Sequence, residues 1–471
     1  MLKKLNENKI FEEIYIAVVF IVATIGWFFK TQYGYASIAI ISFVTILLFN
    51  DSKYLVPCGL GMIFSIGTGF KTDDSYGPLI FSVLILAASF IAYLIRNGFN
   101  FKSLKSFKGL LALSILSFIP LLYHNTIKQG IIDGKLTSSD NALYFLYFAY
   151  FAYLFLYILL AVVLKKDSLR MTFKSVGYIS LILSIECILY VLSNGFVKAY
   201  RMGWGHCNEA GILILLGLPF LTIDLIKAIK IKDYIIPTIK FVIAIVGIIC
   251  STSRGTYLFG AVEILALLIY VFIVSKHKKI MLATAFVVVA LGLTFAQIKF
   301  GIPNLVKKVM DLVFVRGLSM DDRFRLYKEA ISVWKESPLT MIFGAGYVAE
   351  LTKEGFEDIN TFMVFHSTFF ECLATLGIIG VLALGLHFYE RYKQLKLLDK
   401  KEMLYILIGF VIVDLYGLID NTYGMYYFMI PIVMIMAAFD ANEKSLERRC
   451  EDETNEINDS SIEYGIWYFN V

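Results

Sequence analysis

The chain has 471 residues, 58% of them hydrophobic, and a mean hydropathy of +0.73, whereas soluble domains stay near about 45–50% apolar; a soluble globular protein is excluded. The formal charge of +5 comes from cations scattered among apolar runs, so no basic stripe exists for nucleic acid to follow. Cys58, Cys187, Cys207, Cys250, Cys372 and Cys450 include no C-x-x-C pair, which argues against a disulfide framework or a zinc site and for small buried apolar residues.

A membrane span needs roughly 20 mostly apolar residues. On that rule the chain divides into spans near 12–29, 34–49, 54–70, 78–95, 109–123, 142–164, 175–193, 209–226, 234–250, 256–275, 280–297, 366–389, 403–418 and 423–439. That makes an all-α integral membrane protein of about 12–14 transmembrane helices. Met1–Lys9 is a short basic start followed by a run long enough to span, so no cleavable signal peptide is expected.

Lys and Arg mark the cytoplasmic loops. One alternating set of loops holds Lys3, Lys4 and Lys9, then Lys53, then Arg96–Lys108, Lys165–Lys174, Lys227–Lys232, Lys276–Lys279, Arg391–Lys401 and Lys444–Arg449. The other set is poor in cations outside one long loop. Both termini are therefore expected in the cytoplasm. The expected organisation is a bundle at 1–297, an extracytoplasmic loop at 298–365, further spans at 366–439, and a polar, disordered cytoplasmic tail at 440–471.

The long loop is the one sizeable aqueous segment, and it carries Arg316, Arg323, Arg325 and Trp334. Two helices are expected in it. One lies near Pro303–Val315; the other follows a capping box at Ser319–Asp322. In the second, Phe324, Tyr327, Ile331 and Trp334 share one face by 3,4 spacing, Pro338 stops the helix, and Gly344–Gly346 is a turn. This reads as a helical lid lying on the membrane with that apolar face down.

Four external places carry candidate chemistry. Ser253-Arg254-Gly255 lies where one span ends and the next begins. An Arg there is either an interfacial anchor or a fork for phosphate oxygens. Arg323 and Arg325 open the lid helix, as solvated charges or as an anion site. Arg201 precedes Gly203, Gly205 and Asn208. His366 sits where the chain re-enters the membrane; it is either structural or a base suited to neutral pH. Within the spans, Glu186, Lys240, Glu263 and Asp414 are functional candidates by default, and they would also suit a transporter.

These motifs resemble those of the O-antigen ligase and polymerase family of membrane glycosyltransferases (Wzy-type and WaaL-type). The resemblance rests on Ser253-Arg254-Gly255, on Arg323-Phe324-Arg325-Leu326-Tyr327 with its following Pro and Gly344-x-Gly346, and on His366-Ser367-Thr368-Phe369-Phe370 with Leu376-Gly377-Ile378-Ile379-Gly380. It covers roughly 195–390. Ser367, Tyr327 and Thr375 stand where the family usually has Asn, Trp and Glu; the last removes one candidate for orienting His366.

The resemblance implies a GT-C-like transferase without metal or other cofactor, working at the outer face of a bacterial cytoplasmic membrane on undecaprenyl-diphosphate-linked oligosaccharide. It implies His366, Arg254 and Arg323 as catalytic residues. Arg201, Asn208, Ser253, Arg325 and Tyr327 would bind substrate. A flippase or chain-length regulator of the export machinery is an implied partner. Polysaccharide polymerase is the leading expectation. The alternatives are a ligase that moves glycan to another acceptor and, in a different class, a flippase for lipid-linked oligosaccharide or a small-anion transporter.

Overall fold

The computed structural model describes residues 9–28, 33–66, 77–123, 140–165, 167–196, 206–275, 320–347, 365–423 and 425–443, with a few isolated positions besides. The expected span at 280–297, the expected helix at Pro303–Val315, Arg316, the Ser319 cap, Arg201 and the tail beyond 446 lie outside the described residues.

The apolar runs become helices: α1 (Lys9–Phe28), α2 (Tyr33–Phe49), α3 (Leu55–Ile66), α4 (Gly77–Asn97), α5 (Lys108–Phe118), α6 (Asp140–Val163), α7 (Ser168–Asn194), α8 (Cys207–Thr222), α9 (Ile231–Cys250) and α10 (Arg254–Val274). After the long loop's α11 (Met320–Trp334) and α12 (Pro338–Phe343) come α13 (Thr368–Leu395) and α14 (Lys400–Tyr416), then α15 at 426–443. The described residues contain no strand, and the protein is an all-α integral membrane protein. Among the described residues, six segments are long and apolar enough to cross a membrane: Ile80–Asn97, Ser168–Asn194, Cys207–Lys227, Lys232–Cys250, Arg254–Val274 and Thr368–Leu395. Gly34–Phe49, Lys108–Leu122 and Phe148–Val163 are apolar but shorter.

Burial separates strut from rim. The span Cys207–Lys227 is 83% buried, while Arg254–Val274 is 22% buried. α10 turns Leu258, Val262, Leu265 and Ile269 outward at 3,4 spacing, the lipid-facing stripe of a peripheral helix. α7 and α8 pack backbone against backbone: a Cβ on Gly217 would lie 2.6 Å from Val176 O, and Ser180 Oγ donates to Ile214 O at 2.8 Å. Small residues permit this approach, which helices in lipid use in place of a hydrophobic drive.

Ion pairs join the loops that the charge alternation places on one face. Lys53 and Arg170 both reach Glu12 (3.0 and 2.7 Å), Lys174 reaches Glu13 (2.5 Å), and Lys227 reaches Glu402 (2.6 Å). On the same face α15 runs through residue 443, beyond the tail boundary expected at 440. Asp440 is buried there and accepts from Lys105 N, Ser106 N, Ser106 Oγ, Tyr157 OH and Gln394 Nε2. Within the bundle, Asp414 pairs with Arg391 and accepts from Tyr423 OH (2.8 Å). Arg391 also stacks over Phe410 and donates to Tyr423 OH at 2.6 Å.

Candidate active site

α13 begins at the end of the molecule remote from those loops. Ser367 is its N-cap, accepting from Phe370 N, and His366 just before it has a φ of +50°. A non-glycine residue rarely adopts this left-handed conformation, so surrounding contacts must hold it. They come from the turn between α14 and α15. Thr368 N donates to Gly417 O at 2.7 Å, and Thr368 Oγ1 meets Thr422 Oγ1 at 3.0 Å. The turn thereby sets Asp420 beside the imidazole: His366 Nδ1 lies 3.4 Å from Asp420 Oδ1. Asn208 Nδ2, at the start of α8, donates to the other carboxylate oxygen of Asp420 at 3.2 Å. Three residues from three distant parts of the chain thus meet around one carboxylate. A carboxylate at Nδ1 favours the tautomer with the proton there, which leaves Nε2 as an acceptor.

Asn208 is held by its own cap. His206 caps α8 by accepting from Asn208 N (3.3 Å), and Glu209 accepts from His206 N (3.0 Å). α10 starts alongside. Ser253 is its N-cap, and Ser253 Oγ lies 3.4 Å from Tyr416 OH, one turn before Asp420. A Cβ on Gly255 would press within 2.9 Å of the Tyr416 ring, and one on Gly211 would strike Thr256. The S-R-G element therefore has a packing reason: Gly255 lets α10 close on α14, and Arg254 becomes the first residue of the helix.

α11 docks on the start of α13 by a stripe beside the face expected to lie on the membrane. Leu326 and Ala330 are buried, with Ala330 packed against Phe365 and Ala374; Phe324 is 52% exposed. The 3,4 pattern picked the larger side chains, while the interface uses the stripe that includes a small alanine and lets the helices come close. Tyr327 still reaches inward, stacked on Phe370 at 4.5 Å. Its hydroxyl donates to His366 O (3.3 Å) and Leu418 O (3.4 Å). Burial raises this phenol above its ordinary value, with the Arg323 guanidinium opposing and the Asp420 carboxylate adding to the rise. Arg323 Nη1 donates to Ile419 O at 2.6 Å, so it fastens the same turn. Arg325 is exposed on the outer side of α11.

Pro338 does not stop α11, which ends at Trp334; it opens α12 behind the Ser337 cap. A proline at the first helical turn loses no hydrogen bond. Gly344 and Gly346, with φ of +78° and +73°, then turn the chain into a break in α13 at Gly377 (φ +69°). The break frees two carbonyls: Ala345 N donates to Ala374 O (2.8 Å) and Gly346 N to Thr375 O (2.9 Å). Thr375 thus serves the docking of this turn. The two glycine motifs are one joint: a Cβ on Gly377 would lie 2.5 Å from Gly344 N.

Of the expected site residues, the structure gathers His366, Asn208, Arg323, Tyr327 and Ser253 around the 417–422 turn, puts Arg254 at its edge, and leaves Arg325 outside. Asp420 was missed. Its signal was available: in the short link between the spans expected at 403–418 and 423–439, it is the one acidic residue on the His366 side.

No curated protein matches the chain. Residues 239–385, which include the Ser253–Gly255 turn, α11, α12 and His366, match the family model described as O-antigen ligase (Wzy_C).

Proposed function

We propose that this protein is a polysaccharide polymerase that joins undecaprenyl-diphosphate-linked repeat units at the outer face of the bacterial cytoplasmic membrane. The observation that carries the reading is the convergence of Asn208, Asp420 and His366 beside two arginine-bearing helix starts, on the face away from the cation-rich loops. In this reading His366 Nε2 takes the proton of an acceptor hydroxyl as that oxygen attacks the anomeric carbon of the donor sugar. The bond from that carbon to the diphosphate breaks, and the lipid diphosphate leaves with the bonding electrons. In the same reading Arg254 and Arg323 would stabilise that growing charge. Asp420 keeps the proton on Nδ1 and supports the imidazolium once formed. The donor's own diphosphate drives transfer, so no cofactor enters the scheme. Both termini would face the cytoplasm.

The family description favours a second reading, a ligase that moves finished glycan to another acceptor. The test is the chain-length profile of surface glycan in a strain whose sole copy carries His366→Ala, beside Arg254→Ala and wild type, with membrane levels matched by blot. Single lipid-linked repeats support the polymerase; long chains left on the carrier support the ligase. An unchanged profile in His366→Ala would remove the catalytic assignment.

A further inference from the structure

Lys240 has no part in the site just described. It lies within the span Lys232–Cys250, some ten residues from the cation-rich end of α9. Its ammonium stacks on the Tyr178 ring at 5.1 Å, and it is absent from the ion pairs among the described residues. A lysine at that depth is costly unless water or a partner reaches it. Here it stands at the meeting of two cavities, of about 610 and 760 Å³, which share Glu13, Tyr178, Asp224, Lys227 and Lys240.

The other charges of the wall are largely committed. Glu13 is held by Lys174 and by Tyr178 OH, Lys227 by Glu402, Asp399 caps α14, and Asp233 accepts from Lys230 N. Of the residues common to both cavities, that leaves Lys240 and Asp224 outside the ion pairs among the described residues, with Lys240 also in electrostatic reach of Glu13. The wall further holds Phe173, Phe220, Ile236 and Pro237, with Asp167, Arg170 (paired with Glu12) and Lys232 besides. The second cavity opens beside Ile235, Ile236 and Ile239, which are 42–64% exposed on the outside of α9. A ligand entering there would come from lipid, with its chains on those isoleucines and its polar head inside.

We propose that this cavity binds the head of a zwitterionic aminophospholipid from the leaflet opposite His366, with the phosphate on Lys240 and the ammonium on Asp224. A polybasic pocket would choose any anionic lipid. A wall of opposed charges, with Lys240 and Asp224 common to both cavities, favours a head that carries both signs, and a primary ammonium offers hydrogen-bond donors that a choline lacks.

Native mass spectrometry of the intact protein, delipidated and titrated with phosphatidylethanolamine, phosphatidylcholine or phosphatidylglycerol, tests this. The ethanolamine lipid is expected to bind tightest. Lys240→Gln and Asp224→Asn should each weaken it by roughly tenfold, ~1.4 kcal/mol, while Lys328→Gln, exposed on α11 and outside both cavities, leaves it unchanged. Thermal melting of each variant checks the fold, and soluble glycerophosphoethanolamine distinguishes a free head group from a lipid. Equal binding of the ethanolamine and glycerol lipids, or retention of affinity in both Lys240→Gln and Asp224→Asn, would overturn the proposal. Displacement by the soluble head group at equal concentration would overturn the lipid part of it.

Discussion

Replacing Asp420 by Asn probes the support of His366 without emptying the turn. The amide keeps the side chain's shape and an oxygen to accept from Asn421 N (2.9 Å), but it gives up the charge 3.4 Å from His366 Nδ1. A hydrogen bond to a charged group contributes about 1.5–3 kcal/mol. If that bond matters only once the imidazole is protonated, the loss falls on the chemical step and amounts to roughly 10- to 150-fold in turnover. The assay is turnover of purified protein in nanodiscs on synthetic lipid-linked repeat units, with kcat and KM read separately. The expectation is a lower kcat with KM nearly unchanged, and no further loss when Asp420→Asn is added to His366→Ala, because coupled residues are not additive. A kcat for Asp420→Asn within twofold of wild type, with His366→Ala inactive, would refute the reasoning.

Three further expectations concern the frame. Gly377→Ala forces a side chain into a left-handed position, at a cost of about 1–2 kcal/mol, with its Cβ 2.4 Å from Ile342 O. It should lower the melting temperature and displace the α11–α12 arm, whereas Gly385→Ala, which meets nothing within 4 Å, should do neither. Arg391→Met strands the half-buried Asp414 carboxylate, a change expected to cost up to about 3–5 kcal/mol. Adding Asp414→Leu should restore much of that loss in a thermal melt. Glu263 is fully buried with neither carboxyl oxygen hydrogen-bonded, and it lies on α10 away from the 417–422 turn. Glu263→Gln should retain transfer within about twofold; abolished transfer there, with His366→Ala silent, would favour the transporter reading.

Much of the site was legible because its signals are local. The re-entry into the membrane after a long polar loop pointed to His366, and the glycines at 344 and 346 marked a turn. The sides of the loops could be read from lysine alternation, and the ion pairs among Glu12, Lys53 and Arg170 agree with that grouping. What escaped depends on contacts distant in sequence. Asp420 sits in a link that looks like a bare connector, and its partners lie 54 and 212 residues away. Asp414 looked like an isolated intramembrane acid because its partner Arg391 had been assigned to a loop; α13 in fact carries it inside the bundle. The docking of α11 on α13 was not read, because spacing counts large apolar residues, while close helix packing is decided by a small one, Ala330. Glu186 and Glu263 remain without an assigned role, since burial alone gives them none.

The central claim is that His366 accepts the proton of the acceptor hydroxyl. Single-turnover glycan transfer by purified wild type and His366→Ala, with donor binding and melting temperature measured in parallel, tests it most directly. The account predicts a loss of roughly 10²–10⁴-fold in the chemical step, the usual worth of a positioned base, with binding and stability unchanged. A His366→Ala protein that is folded, binds donor and transfers at the wild-type rate would contradict it.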